Sequence, residues 1–161
     1  MTALIPVTEA DLPLLWRMQK ESFTPLLEKY RDYDTSPASV TLDEMKIKFV
    51  RPEMLGCWFI LEDGEKVGSF YVKRSDPVRE GVPRFFLSNV FVLPAYQGRG
   101  IAQRAIRLVE KEFPPGDWLL YTIEQEPGNC HLYEKLGYRK NGTRMTVNER
   151  MTLIGYEKTI I

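Results

Sequence analysis

The 161-residue sequence predicts an α/β fold on a mixed β-sheet, a single domain over residues 1–161. Three observations predict it. Hydrophobic spacing switches between helical and strand periods in the order β-α-α-β-β-β-α-β-α-β-β. No linker, repeat or low-complexity tract divides the chain. Near its middle, residues 90–102 read as a strand, a glycine-rich turn and the start of a helix.

Leu4-Ile5-Pro6-Val7 is a short apolar run that predicts an opening strand. Thr8-Glu9-Ala10-Asp11 reads as a helix start, with Leu12, Leu15, Trp16 and Phe23 near helical spacing. Pro25 and the acidic–aromatic residues 28–34 are expected to interrupt that helix. Ser36-Pro37 reads as the N-cap and first residue of a second helix, carrying Leu42, Met45 and Phe49 and ending at Arg51-Pro52.

From Cys57 the period changes. Residues 57–61 and 66–72 predict two strands joined by the turn Glu62-Asp63-Gly64-Glu65. A loop follows over residues 76–83, then a third strand over 84–92. Residues 101–113 predict a helix with Ile101, Ala105, Ile106, Val109 and Phe113 on one side, stopped by Pro114-Pro115-Gly116. Residues 117–123 predict the next strand, broken by Pro127-Gly128. Asn129 reads as the N-cap of a short helix over 130–136, closed by Gly137. Residues 138–158 predict a final hairpin turning at Asn141-Gly142.

Composition narrows the function. Lys plus Arg and Asp plus Glu balance at 22 each, so no bulk field attracts nucleic acid or an anionic membrane, and neither is expected as a partner. Cys57 and Cys130 lack C-x-x-C spacing and His131 is the lone histidine, too few for a usual zinc set, so no metal is expected. A disulfide between the two cysteines is one reading, and two idle thiols in a reducing cytosol is the favoured one. Residues 1–20 carry Glu9, Asp11 and Arg17, no signal-peptide core, and no run of about 18 apolar residues occurs. A cytoplasmic location is expected.

The glycine turn presents backbone N–H groups at the positive end of a helix, which suits a phosphate or pyrophosphate. A P-loop would need a lysine after the last glycine, and none follows Gly100. A Rossmann turn would need a third glycine where Gln103 stands. A turn whose glycines serve only tight geometry is the bland alternative.

Read with its neighbours, the loop is more specific. Gln97-Gly98-Arg99-Gly100-Ile101-Ala102 has the form Gln-x-x-Gly-x-Ala, Val90-x-Val92-x-Pro94 precedes it, and Leu132-Tyr133-Glu134-Lys135-Leu136-Gly137-Tyr138 follows one helix and one strand later. Residues 84–138 thereby resemble the GNAT superfamily (GCN5-related N-acetyltransferases). The resemblance implies a GNAT fold whose mixed sheet is partly splayed and flanked by helices. It implies acetyl-CoA as co-substrate and direct transfer of the acetyl group to a primary amine, of a small molecule or a protein, in a ternary complex. In the family the splayed strand offers free backbone groups to pantetheine, here those of Val90, Phe91 and Val92. The loop, Gln97, Gly98, Arg99, Gly100, Ile101 and Ala102, holds the pyrophosphate.

The family's tyrosine is Tyr133, implied to contact CoA and to serve as the acid that protonates the leaving thiolate; a hydroxyl packed on the sheet is the structural alternative. Many members carry asparagine where this chain has Glu126. Asn129 either takes over contact with CoA or caps the helix. Some members use a glutamate on the strand before the loop as base, but Phe85-Phe86-Leu87-Ser88-Asn89 holds no carboxylate. Glu124, at the end of the next strand, is the nearest base candidate, with an exposed strand-end carboxylate as the commoner explanation. A water relay through Ser88 or Asn89 is the competing route. Arg99 and Arg104 are candidates for CoA phosphates, with a solvated helix face the more ordinary reading of Arg104. His131 is more readily surface than catalytic. Residues 28–34 fall where the family binds its acceptor, and acid with aromatic suits a cationic amine. The family often forms homodimers. The absent strand glutamate also fits a non-catalytic acyl-CoA sensor.

Overall fold

The computed structural model describes residues 1–161. Seven strands form one sheet: β1 (Thr2–Pro6), β2 (Met54–Glu62), β3 (Glu65–Ser75), β4 (Arg84–Val92), β5 (Gly116–Ile123), β6 (Arg139–Thr146) and β7 (Thr152–Ile160). Their order is β1-β2-β3-β4-β5-β7-β6. Every neighbouring pair is antiparallel except β4 and β5. The sheet is therefore mixed, as expected.

Four helices flank it: α1 (Leu12–Tyr30), α2 (Leu42–Phe49), α3 (Ile101–Glu110) and α4 (Pro127–Lys135). The stripe of α3 buries Ile101, Ala105, Ile106 and Val109 in the larger core, against Val67, Phe85 and Trp118 among others. The Ile and Val side chains among them each contribute about 1.5–3 kcal/mol on full burial. A smaller core gathers Leu12, Leu15 and Met18 of α1 with Met45, Phe59 and Phe91. No helix is long and apolar enough to cross a membrane.

Several boundaries depart from the sequence expectations. Helix α1 runs through Pro25 to Tyr30 rather than stopping. Ser36 caps only a short 3-10 turn, Pro37–Ser39, whereas the N-cap of α2 is Thr41, whose side chain accepts from the Glu44 amide in a capping box. The N-cap of α4 is Glu126, not Asn129, so the capping alternative for Asn129 is excluded. The last hairpin turns between Thr146 and Thr152, and Asn141-Gly142 lies in a register shift within β6. Cys57 and Cys130 are both free thiols.

The feature that positions the site is the failure of β4 and β5 to stay paired. Only Arg84, Phe86 and the intervening Phe85 pair with β5, opposite Asp117, Leu119 and Trp118. Beyond Phe86 the strands diverge while β5 stays zipped to β7 along its length. The divergence begins near a register shift against β3 between Ser69 and Tyr71, and Asn89 takes a left-handed φ of 53°. A bulge of this kind bends its strand away from a neighbour. The sheet is splayed, as the family resemblance implies.

Burial also sets a pH limit on this fold. It pushes the Cys57 thiol up to about 12 and lifts the Tyr133 and Tyr138 hydroxyls well above their ordinary range, with the Glu110 charge adding to the effect at Tyr138. In the unfolded chain the same groups ionise near pH 8.5 and 10. Their contribution to stability is complete at neutral pH and declines as pH rises past those values. The decline is about 1.4 kcal/mol per pH unit for each group ionised only in the unfolded chain. Urea midpoints are expected to fall steadily between about pH 9 and 11. A flat midpoint across that range would contradict burial of the three groups in their neutral forms.

Candidate active site

The gap between β4 and β5 opens into a cavity of about 260 Å³. One wall is β4 from Phe86 to Val90, and the facing wall is Tyr121 to Ile123 of β5. Asn129 and Tyr133 of α4 enter from one side, Phe23 and Leu26 of α1 from another. The connection after α1 supplies Asp32 and residues 35–37, the β6–β7 turn supplies Met151, and β7 supplies Leu153.

Long-range contacts fix these walls. The α1 C-terminus leaves carbonyls without helical partners. The β6–β7 turn satisfies them: Asn148 Nδ2 donates to the Tyr30 carbonyl at 2.9 Å, and Arg150 Nη1 to that of Lys29 at 3.3 Å. Glu126 joins α1 to α4 by accepting from Lys29 Nζ at 2.7 Å and from the Tyr30 hydroxyl. Burial alone would raise the Glu126 pKa, but these two donors together hold it below the usual carboxylate value. The residue that stands in place of the family's asparagine thus ties two elements together at the rim.

Tyr133 is buried and lines the cavity, and its ring packs near Tyr138 and Tyr156 at centroid distances of 6.2 and 6.3 Å. Its hydroxyl has no hydrogen-bond partner in the protein, unlike the hydroxyls of Tyr138 and Tyr156, which donate to Glu110 and Glu134. Desolvation keeps it protonated far above neutral pH. A neutral donor facing an open cavity is therefore available. Asn129 is exposed at the mouth and its side chain is likewise unpaired. Ser88 Oγ donates to Asn89 Oδ1 at 3.3 Å on the β4 wall.

Glu124 is placed elsewhere. Its Oε1 accepts from Arg144 Nη2 at 2.8 Å, and it does not line the cavity. A carboxylate held by a guanidinium outside the cleft is poorly placed to take a proton from a bound amine. His131 is exposed and also outside. Of residues 28–34, only Asp32 faces the cavity; Tyr33 is out in solvent. Periodicity did not single out Asp32, because the cavity it faces is assembled from segments far apart in the chain.

At the top of β4 a 3-10 turn, Pro94–Tyr96, leads into the loop. Gln97 Nε2 donates to the Val92 carbonyl at 2.9 Å, so this side chain fastens the loop to its strand. Gly98 and Gly100 have φ of 77° and 73°. The amides of Gly98, Arg99 and Gly100 donate to no protein acceptor. Those of Ile101 to Gln103 open α3, where a helix has no internal acceptor for them. Together they form a concave run of unpaired donors at a helix N-terminus, the arrangement that suits a pyrophosphate. The side chain of Ile101 is buried in the core, so its share in such a site is the backbone amide. Arg99 lies over the Tyr96 ring at 5.5 Å. Arg104 points back to the sheet, with Nε on Thr2 Oγ1 at 2.8 Å and Nη2 on Glu62 at 3.0 Å. Its side chain stays about half exposed, at 48 %, while making these contacts and donating from Nη1 to the Arg99 carbonyl at 3.0 Å.

The Acetyltransferase (GNAT) family matches residues 13–138, most of the chain. The chain belongs to the GNAT acetyltransferase family. Similar solved structures agree with that fold. A GNAT family acetyltransferase from Streptococcus agalactiae 2603 superposes with a TM-score of 0.79 at 13 % identity, over 99 % of this chain and 96 % of its own. Spermidine N-acetyltransferase from Vibrio cholerae, in complex with CoA and spermine, gives 0.73 at 14 %, over 99 % and 95 %. Arabidopsis thaliana NAA60 in complex with acetyl-CoA gives 0.69 at 17 %, over 99 % and 100 %. No curated protein matches the sequence. The splayed strands and the tyrosine on α4 line one cavity, and the donor-rich loop follows the far end of the same strand β4.

Proposed function

We propose that this GNAT protein is a cytoplasmic N-acetyltransferase that moves the acetyl group of acetyl-CoA to a primary amine by direct attack in a ternary complex. The observation that carries the reading is that the unpaired edge of β4 and the free hydroxyl of Tyr133 border one cavity, with the unpaired loop amides at the end of that same strand. The loop amides hold the pyrophosphate. The free edge of β4 at Val90 and Phe91 receives the pantetheine arm as a further strand would. Val92 contributes less through its carbonyl, which Gln97 already occupies. The side chain of Phe91 sits in the smaller core, edge-on to Phe23 at 5.7 Å, so only its backbone serves the arm.

Bound acetyl-CoA supplies an activated acyl group; the chain supplies position and protons. Backbone N–H groups on the β4 edge stabilise charge on the thioester oxygen. Tyr133 donates toward the departing sulfur. A water held by Ser88 or Asn89 relays the amine proton out to bulk solvent, and the pairing of Glu124 with Arg144 outside the cavity disfavours that carboxylate as the base. Asn129 at the mouth contacts CoA.

Thiol release from acetyl-CoA, measured across polyamines, amino acids, aminoglycosides and peptides, tests the reading. Acceptor-dependent release with at least one amine is expected. Tight acetyl-CoA binding without any acceptor-dependent release would instead identify a non-catalytic acyl-CoA sensor.

A further inference from the structure

One carboxylate in this cavity has an oxygen with nothing to bind. Asp32 is 8 % exposed and follows Arg31, the left-handed residue that ends α1. Its backbone carbonyl accepts from the amides of Thr35 at 3.0 Å and Ser36 at 2.8 Å. Oδ2 accepts from the Thr35 hydroxyl at 3.3 Å, while Oδ1 is buried without a protein partner. Buried polar atoms are nearly always paired, and an exception calls for a physical reason. Three other buried side-chain atoms share this state: Ser22 Oγ, Arg84 Nε and Trp118 Nε1. None of those residues lines the cavity, and Arg84 already pairs with Glu157. Asp32 alone combines an orphaned oxygen, a charge and a cavity.

The remaining wall decides what must accompany the positive charge that Asp32 calls for. Asp32 is the sole acidic residue on it, and no Lys, Arg or His lines it. A ligand carboxylate would meet the Asp32 charge and find no cation. A second ammonium would find no second carboxylate, because Glu126 and Glu124 lie outside the cavity and are held by Lys29 and Arg144. Apolar surface from Phe23, Leu26, Phe86, Tyr121, Met151 and Leu153 makes up much of the rest. Aromatic faces also favour a cation beside them.

We propose that Asp32 is the specificity-determining residue that receives the ammonium group of the acceptor, and that the acceptor is a primary monoamine with an apolar body. This rests on the amine-acetyltransferase reading above. It concerns binding of the protonated amine and adds no step to the transfer.

Steady-state thiol release tests it with hexylamine and phenethylamine as monoamines, against spermidine, phenylalanine and a tetrapeptide with a free N-terminus. For the wild-type protein, kcat/KM is expected to be at least tenfold higher for a monoamine than for the other three. Asp32→Asn keeps the shape and the Thr35 contact while removing the charge. It is expected to raise the monoamine KM at least tenfold, with the KM for acetyl-CoA and the melting temperature unchanged, and Asp32→Glu is expected to restore part of the loss. An unchanged amine KM in Asp32→Asn overturns the inference and leaves the amine-acetyltransferase reading standing, as does a wild-type preference for the polyamine, the amino acid or the peptide. No release with any amine overturns that reading, and this inference with it. If Asp32→Asn does not fold, the wild-type ranking decides alone.

Discussion

Removing one oxygen atom at Tyr133 is expected to lower kcat at least tenfold while acetyl-CoA affinity and melting temperature barely move. General acid catalysis contributes about 10²- to 10⁴-fold, so the lower end of that range is the conservative expectation. The structure makes Tyr133→Phe an unusually clean substitution. The hydroxyl has no protein partner, so its loss leaves no buried group unpaired. The ring, which packs near Tyr138 and Tyr156, stays in place. Burial raises the tyrosine pKa, which makes it a reluctant donor by its own measure. The sulfur, however, departs into the same dry surroundings, which raise the basicity of a thiolate as well. The difference between donor and acceptor is thus smaller than their values in water imply. Because Tyr133 stays protonated throughout the working range, its role predicts no falling limb below about pH 10 in the pH–rate profile. The measurement is kcat at saturating acetyl-CoA and amine, with CoA affinity by calorimetry. Wild-type turnover in Tyr133→Phe would remove the acid role.

What the sequence revealed and what it concealed divide along a physical line. Features set by neighbours in the chain were legible: the alternating strands, the one-sided stripe of α3, and a glycine turn that no side chain with a Cβ adopts easily. Features set by distant contacts were not. Pro25 reads locally as a helix stop, because it lacks an N–H and its ring crowds the carbonyl four residues before. Helix α1 continues because Asn148, Arg150 and Glu126 hold its last turn from far along the chain. Asn141-Gly142 has the chemistry of a two-residue hairpin turn, and Gly142 does take a φ of 89°. That conformation serves a bulge within β6, since the strand resumes pairing with β7 at Arg144. For the same reason the acceptor side of the cleft was the obscure side. Tyr133 and the loop sit on short-range motifs, whereas Asp32 joins the cavity only because α1, β4, β5, α4 and β7 meet around it.

The loop predicts the opposite kinetic signature from Tyr133. A double substitution, Gly98→Ala with Gly100→Ala, is expected to weaken CoA binding at least tenfold while kcat at saturation stays within about threefold. Both glycines hold positive φ, at 77° and 73°, where a Cβ adds roughly 1 kcal/mol of backbone strain at each. The chain relieves that strain by moving the loop, and the run of unpaired amides then no longer converges on one anion. A Cβ at Gly98 would meet nothing within 4 Å, so the protein itself offers no clash to mask the effect. At Gly100 the nearest atom is Arg104 Nη1 at 3.1 Å, the end of a flexible side chain. The melting temperature is expected to fall by about 4–8 °C, in keeping with about 2 kcal/mol in a domain of this size. A tenfold change in binding is 1.4 kcal/mol, so misplacing even one or two charge-assisted hydrogen bonds is sufficient. Calorimetry with CoA and with its dephosphorylated pantetheine fragment separates the causes. The substitutions should weaken CoA and leave the fragment's affinity nearly unchanged, because the fragment carries no pyrophosphate and the proposed reading sets it along β4 instead. Equal weakening of both would mean that the loop supports the strand edge rather than the anion. Unchanged CoA affinity would show that these amides hold nothing.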